Sequence, residues 1–480
     1  MSTVSTERKG LILALLAAAQ FVVVLDASIV NVALPSIGRE LQLDQDSLSW
    51  VVNSYVLVFG GFLLLGGRIA DLMGRRRMFV VGLLLFCVAS LLGGFSQTEG
   101  QLIAARVVQG LGAALLSPAA LAILTTTFAE GAERNKALGV WGAVAGSGGA
   151  VGVLLGGILT ESLGWEWVLF VNVPITALAA YGAMRVLGES RDESASSFDV
   201  FGAITVTAGV SLLVYTIVDA NDSGWGSTRT ISLAILSAAL IAAFIAIERV
   251  WKQPLLPFRI FRNRTLTGAN LTGVFVAMSL FSMFFFVSLY MQQVLGYSAL
   301  KAGLAYLPLA GGIIVSAGFA SVLTTRIGFK PVLAGGMLLV AAGLFWFSRV
   351  SPDGTFLGDL LGPSLLAALG LGFAFVPLTI ASVSGVEPDD AGLASGLINT
   401  SQQVGGALGL AILVAVSNSA FGDTTGALPA RLTESFQSAF LVGTGLAITG
   451  AVLSLVLISS QHSRDHRDAA QAGELLPVAV

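Results

Sequence analysis

The sequence predicts an all-α polytopic membrane protein with fourteen transmembrane helices, built as two six-helix pseudo-repeat bundles plus two inserted helices. Three observations predict it. The 480 residues are 55% hydrophobic and 11% charged, with a mean hydropathy of +0.86, whereas soluble domains carry roughly 25% charge. A ~30 Å hydrocarbon layer needs about 20 apolar residues per helix, and that template fits fourteen times. Finally, the turn at 67–77, Gly-Arg-Ile-Ala-Asp-Leu-Met-Gly-Arg-Arg-Arg, sets four arginines and an aspartate between two apolar runs. A charged side chain at the bilayer centre costs at least ~2.5–3.5 kcal/mol, so this turn lies in water, and its arginines put it on the cytoplasmic side.

The first span, 11–33, follows Arg8 and Lys9 as a secretory signal would. It is too long, however, and runs into Pro35 without a small-residue cleavage site, so it is a retained helix ending ahead of the proline. Spans 49–68 and 78–96 flank the arginine-rich turn, and 102–127, 138–160 and 167–186 complete a first group of six. The inserted pair, 200–219 and 230–249, lies between two polar, basic segments, 188–199 and 249–264, which read as cytoplasmic linkers. The last six spans are 267–291, 302–324, 331–349, 356–381, 393–416 and 436–459. The tail, 461–480, is short and mixed in charge, and disorder is expected there. The chain therefore divides into an N-terminal half (1–187), linkers with the inserted helices (188–265), a C-terminal half (266–460) and a cytoplasmic tail (461–480).

Charge placement and an internal repeat support this layout. Nineteen of the 25 basic residues fall on one side of the spans, and only Arg39, Arg229, Lys301, Arg349 and Arg431 fall on the other, with Arg106 inside a helix. That bias places both termini in the cytoplasm and the protein in the cell (inner or plasma) membrane. Gly148-Gly149-Ala150-Val151-Gly152-Val153 in span 5 matches Gly405-Gly406-Ala407-Leu408-Gly409-Leu410 in span 13, and Gly110-Leu111-Gly112 matches Gly370-Leu371-Gly372. Matching helix number and membrane direction favours duplication over chance, and transporters built from such repeats bind substrate between them near the midplane.

Several chemistries lack their ingredients. A net charge of −3 gives no basic footprint for nucleic acid. The single Cys87 sits in an apolar run and both histidines, His462 and His466, lie in the tail, so neither a metal cluster nor a histidine triad is expected, and no cofactor. No Gly-x-x-x-x-Gly-Lys-Ser/Thr loop occurs, leaving an ion gradient as the energy source. Enzymatic function is not expected, and the partners are protons, a small lipophilic substrate and the lipid bilayer, with the chain acting as a monomer.

Asp26 is the sharpest signal, about seven residues or ~10 Å inside span 1. An ionisable residue at that depth is either functional or a permanently paired structural acid. Arg106 in span 4 lies at comparable depth and either pairs with Asp26 or snorkels to the outer surface. Burial penalises a charged carboxylate while a neighbouring arginine favours it, an opposition that suits a switchable proton site. In span 5, Gly142, Gly146, Gly149, Gly152 and Gly156 form one stripe, read as a packing seam or as a seam that also rocks. Asn399, Gln402 and Gln403 in span 13 are interhelical contacts or substrate contacts. Phe281, Met283, Phe284, Phe285 and Phe286 in span 9 cover all helix faces, so at least half are expected to meet lipid, with Phe281 and Phe284 candidates for an apolar pocket.

Together these residues make the chain resemble the fourteen-helix drug:proton antiporter branch of the major facilitator superfamily, over nearly its whole length. Gly67, Asp71, Gly74, Arg75 and Arg76 match the loop between helices 2 and 3, which the resemblance implies is a cytoplasmic gate. Arg106, Gln109, Gly110 and Gly112 match the helix 4 motif, whose arginine is associated with proton coupling, and Leu25-Asp26-Ala27-Ser28-Ile29-Val30-Asn31-Val32-Ala33-Leu34-Pro35 resembles the helix 1 motif. Two positions depart from the pattern. Gly152-Val153 stands where the family has Gly-Pro, and Trp165-Glu166-Trp167 stands where it has Trp-Arg-Trp. The function this implies is proton-coupled export of lipophilic neutral or monocationic compounds by alternating access. A transporter of one endogenous metabolite, lipid or peptide is the alternative, and a non-transporting membrane sensor a remote one.

Overall fold

The computed structural model describes residues 6–128, 132–190, 199–251, 254–386, 391–423 and 427–471. Its helices are α1 Thr6–Leu41, α2 Gln45–Met73, α3 Arg75–Gly94, α4 Glu99–Thr127, α5 Ala132–Ser162, α6 Trp167–Val186, α7 Val200–Ser223, α8 Thr228–Val250, α9 Arg264–Val294, α10 Ala299–Ile327, α11 Phe329–Phe347, α12 Phe356–Val383, α13 Ala391–Asp423, α14 Leu428–Leu457 and α15 Ser460–Gln471. Among the described residues thirteen helices are long and apolar enough to span a bilayer, and α5 contributes the shorter apolar run Val151–Ser162. With an even number of crossings, the start of α1 and the end of α14 lie on one face, the terminal face.

The pairings repeat eight helices apart. In the first half α1 packs on α5, α2 and α3 on α4, and α3 on α6; in the second, α9 packs on α13, α10 and α11 on α12, and α11 on α14. The halves meet through α2 against α13 and α5 against α10, and the hairpin α7–α8 lies beside the first of these contacts.

Small residues set these distances. A methyl added to Gly152 or Gly156 would lie 3.0 Å from the Leu25 carbonyl or 2.8 Å from that of Ile29, so α5 rides directly on α1. Gly148 joins that seam beside Val24, whereas Gly149 faces open space, which corrects its expected place in the stripe; for Gly142 and Gly146 only the helical backbone belongs to the described structure, and what they face lies outside it. A different edge of α5 meets the other half, where Gly303 brings α10 within 2.6 Å (from its virtual methyl) of the Val153 carbonyl.

α1 does not stop before Pro35 but continues through it to Leu41. Proline lacks an N–H, so the carbonyl four residues earlier loses its helical donor. That carbonyl, on Asn31, instead accepts the Ser288 hydroxyl of α9 at 2.8 Å, and Val32 accepts Gln292 Nε2 at 2.9 Å. Three more bonds cross between the halves on the face opposite the termini: Leu300 N–H to Glu161 at 2.9 Å, Asn418 to Asp46 at 2.5 Å and Gln45 to Ser417 at 3.2 Å.

Two further expectations change. Met283, Phe285 and Phe286 are buried and Phe281 and Phe284 half-buried, because α9 is enclosed by α13, α14 and α12 rather than facing lipid. The first part of the tail is helical, and α15 docks by polar contacts that apolar periodicity does not reveal. Ser463 Oγ accepts the Lys330 N–H at 3.1 Å, Lys330 Nζ donates to the Ile458 carbonyl at 2.8 Å, and His462 hydrogen-bonds Thr265 at 2.9 Å.

His466 turns its ring edge-on to Phe329, 5.7 Å between centroids, with Nδ1 buried and unpartnered among the described residues. Burial holds this imidazole below the usual histidine range. The neutral ring is therefore the docked form; its contribution is complete above the ordinary value near ~6.5 and is lost as pH falls through the depressed one. Hydrogen exchange across 460–471, corrected for intrinsic rates, should accelerate between about pH 7.5 and about pH 5, and His466→Phe should remove that acceleration.

Candidate functional site

The site is a buried ion pair held by five helices. Asp26 on α1 is 0% exposed and Arg106 on α4 is 1% exposed, and Arg106 Nη1 donates to Asp26 Oδ2. The same nitrogen donates to Gln109 Oε1 at 2.9 Å, Nε donates to the Val51 carbonyl of α2 at 3.0 Å, and the guanidinium lies 4.4 Å over the Tyr55 ring. Asp26 Oδ1 accepts Gln109 Nε2 at 3.2 Å and Asn172 Nδ2 of α6 at 2.8 Å. Gln109 Nε2 also donates to Ser90 of α3 at 2.7 Å. Removing either partner of such a pair would strand a charge at a cost of about 3–5 kcal/mol.

The expected pairing is therefore present, and snorkelling by Arg106 is not. Both residues lie deeper than counted from sequence, because α1 continues to Leu41 and α4 begins at Glu99. Three network members were missed. Ser90 and Tyr55 are ordinary in apolar spans, but Asn172, an amide inside span 6, could have been flagged by the rule that amides in lipid need partners. Its Oδ1 remains buried without a partner among the described residues.

The helix 4 glycines place this arginine. A methyl on Gly110 would sit 2.7 Å from the Tyr55 carbonyl and one on Gly112 2.8 Å from the Phe86 N–H, so α4 lies close between α2 and α3.

At the 67–77 turn, Gly74 ends α2 and begins α3 with φ +110°, a region that favours glycine. Asp71 pairs with Arg75, whose Nη2 lies at 2.8 Å. Arg76 does not join them; its Nη2 donates to the Met184 carbonyl at 2.7 Å and its N–H to Glu189 at 3.1 Å. Gly67 lies against Pro118. These contacts bind the turn to its own half and to the first residues of the linker that follows it, Glu189 and Ser190.

The remaining candidates are spread out. Gln403 packs on Gly60 of α2, Gln402 lies near Gly273 of α9, and Asn399 is exposed and donates to the Ser395 carbonyl of its own helix at 2.9 Å. Phe281 covers Gly406, and Phe284 stacks on Tyr306 at 5.2 Å. A 600 Å³ cavity between α7, α13 and α14, bordered by Ile217, Trp225, Ile412 and Ser419, contains none of these five. Sequence reasoning passed over Asn53 on α2 and Thr272 and Ser282 on α9. Like Thr400 on α13, beside the amides already singled out, these are polar groups with buried atoms that have no partner among the described residues, on the helices that meet between the halves.

Comparison with known proteins places this geometry. The chain is 40% identical to puromycin resistance protein pur8 of Streptomyces alboniger, over 94% of its length and 91% of that protein's. It is 42% identical to cephamycin export protein CmcT of Amycolatopsis lactamdurans, over 95% and 93% of the two chains. In fold it resembles a bacterial homolog of the human lysosomal transporter Spinster, solved inward-facing and occupied, with a TM-score of 0.66 at 15% identity, covering 96% of this chain and 99% of that one. The model of the Major Facilitator Superfamily matches residues 16–410. The chain, a multi-pass membrane protein carrying a buried Asp26–Arg106 pair, belongs to the Major Facilitator Superfamily of transporters.

Proposed function

We propose that this protein is a proton-coupled exporter of lipophilic neutral or monocationic compounds, such as antibiotics or dyes, acting as a monomer with its terminal face in the cytoplasm. The observation that carries this reading is the fully buried Asp26–Arg106 pair, set in a chain whose relatives are named for antibiotic resistance and export. Asp26 is the proton acceptor. Arg106, Gln109 and Asn172 hold its charged form when the proton leaves, and Asn172 Oδ1 offers an open acceptor on the amide that holds Asp26.

Transport then follows alternating access. The bonds of Asn31, Val32, Glu161 and Asp46 to the second half close the external face, which is the arrangement of an inward-facing carrier. Opening outward breaks them and exposes Asp26 to protonation from outside. The Asp71–Arg75 turn, bound to its own half in this state, is the element that fastens the cytoplasmic face when the protein opens outward. The glycine seam of α5 on α1 and α10 permits the rocking, without the kink that a proline at Val153 would add. Phe281 and Phe284 with Gln402, Gln403 and Asn399 supply apolar and amide contacts to the substrate.

Asp26→Asn should abolish uptake driven by an imposed pH gradient in vesicles of defined orientation, while substrate counterflow, which needs no net proton movement, persists. Unchanged gradient-driven uptake would sink the assignment of Asp26.

Charge limits the cargo. Asp26 is buried mid-helix, whereas Asp46, Asp71, Asp199, Glu248 and Asp359 lie at the caps or in the end turns of their helices, so a dication would keep one charge unmatched. In proteoliposomes, an aromatic monocation should be transported at least about tenfold faster than its matched dication, the ratio that ~1.4 kcal/mol of unpaired charge produces. Equal handling would mean that another membrane acid takes part.

A further inference from the structure

The base of the inserted hairpin holds two acids that the transport cycle above leaves unused. Asp199 caps α7, its Oδ1 accepting the Gly202 N–H at 2.7 Å. Glu248 lies in the last turn of α8, its Oε2 accepting the Leu256 N–H at 2.9 Å. They are 0% and 3% exposed. Each keeps one oxygen, Asp199 Oδ2 and Glu248 Oε1, with no partner among the described residues. Those two oxygens border one space: a methyl on Gly202 would sit 2.5 Å from the first and 2.9 Å from the second.

Two desolvated carboxylates around a gap too small for a methyl repel strongly unless something positive lies between them. The surrounding elements offer little. α2, packed on α7, carries Asp71, paired with Arg75, and Arg68, which has an interaction of its own. α13, which also packs against α7, has no charged residue from Ala391 to Gly422, and α8 carries Arg229 at its far end and Arg249 beside Glu248. Among the described residues, Arg249, Arg262 and Arg264 are exposed and Arg259, also exposed, has an interaction of its own, while Lys252 lies outside the described residues. A hard cation takes roughly six oxygens, whereas two are free here, and the backbone groups bound to the acids are N–H donors. A proton requires only two acceptors, as in paired carboxyls that share one.

We propose that Asp199 and Glu248 form a second proton-binding site, separate from Asp26–Arg106, in which one proton shared between Oδ2 and Oε1 fastens the base of the α7–α8 hairpin to the connector running into α9. Through Leu256 the site ties the hairpin to that connector, so its occupancy sets how firmly the insertion is coupled to the second half. A proton held only by the closed pair stabilises closure at low pH, and this contribution is lost as pH rises.

The test is hydrogen exchange on the full chain in lipid nanodiscs, followed in 199–206 and 254–258 and corrected for intrinsic rates. While the closed pair retains its proton and the open one does not, wild-type opening should grow about tenfold per pH unit toward alkaline pH. In Glu248→Gln the amide N–H donates permanently to Asp199, and in Asp199→Asn the reverse contact forms. Either variant suffices, and each should reduce that growth to less than about twofold per unit, since no shared proton remains to be lost. A wild-type slope retained in a folded variant would overturn the proposal. So would protection that responds to sodium, potassium or calcium at fixed pH, which would make this a metal-cation site.

Discussion

A membrane-buried arginine is tolerable only if every face of its guanidinium is occupied, and that constraint organises the first half of this protein. Arg106 takes the Asp26 carboxylate, the Gln109 amide, a backbone carbonyl of α2 and the Tyr55 ring, and Asp26 in turn takes Asn172 from α6. Five helices must be in register for this to hold. The glycines at 110 and 112 are what allow α4 to approach α2 and α3 closely enough. Fold and the proposed chemistry thus share one cause: the network that makes a charge tolerable in lipid is also the one on which the proposed proton exchange at Asp26 rests.

The inserted hairpin sits where the two halves touch through α2 and α13, with Gly61 of α2 against Thr207 of α7. Its position explains how two extra helices are accommodated without disturbing the repeat. The pairings of α1–α6 recur in α9–α14 with the hairpin outside both sets.

Much of this was legible because lipid penalises charge and unpaired amides so heavily. Helix number, the 67–77 turn, Asp26 and Arg106 all follow from that penalty. What stayed hidden depends on neighbours. Pro35 reads as a stop, yet the helix passes through it because a hydroxyl from α9 takes the carbonyl it releases. Five bulky residues at 281–286 read as partly lipid-facing, yet α9 is enclosed along that stretch by α12, α13 and α14. Gly149 and Gly148 are indistinguishable in sequence, and only the rotation of α5 against α1 decides which one packs. The tail lacks any apolar stripe, and α15 docks through serine, lysine and histidine contacts instead.

The carbonyl freed by Pro35 has a thermodynamic corollary. Ser288 and Gln292 reach main-chain oxygens of α1 near its end opposite the terminal face, not side chains that need a matched partner. When the halves separate there, water enters the same gap and can hydrate each oxygen at once, so little polar bonding is forfeited. Beside these two bonds, the seam opposite the terminal face is held chiefly by shape, through the close glycine crossing of α5 and α10, while Asp46–Asn418 and Gln45–Ser417 are its side-chain pairs. Its polar bonds act as alignment marks, exchangeable for solvent at small net enthalpy. A carrier that must part and rejoin this seam in every cycle gains speed from such a seal, because neither direction faces a deep well.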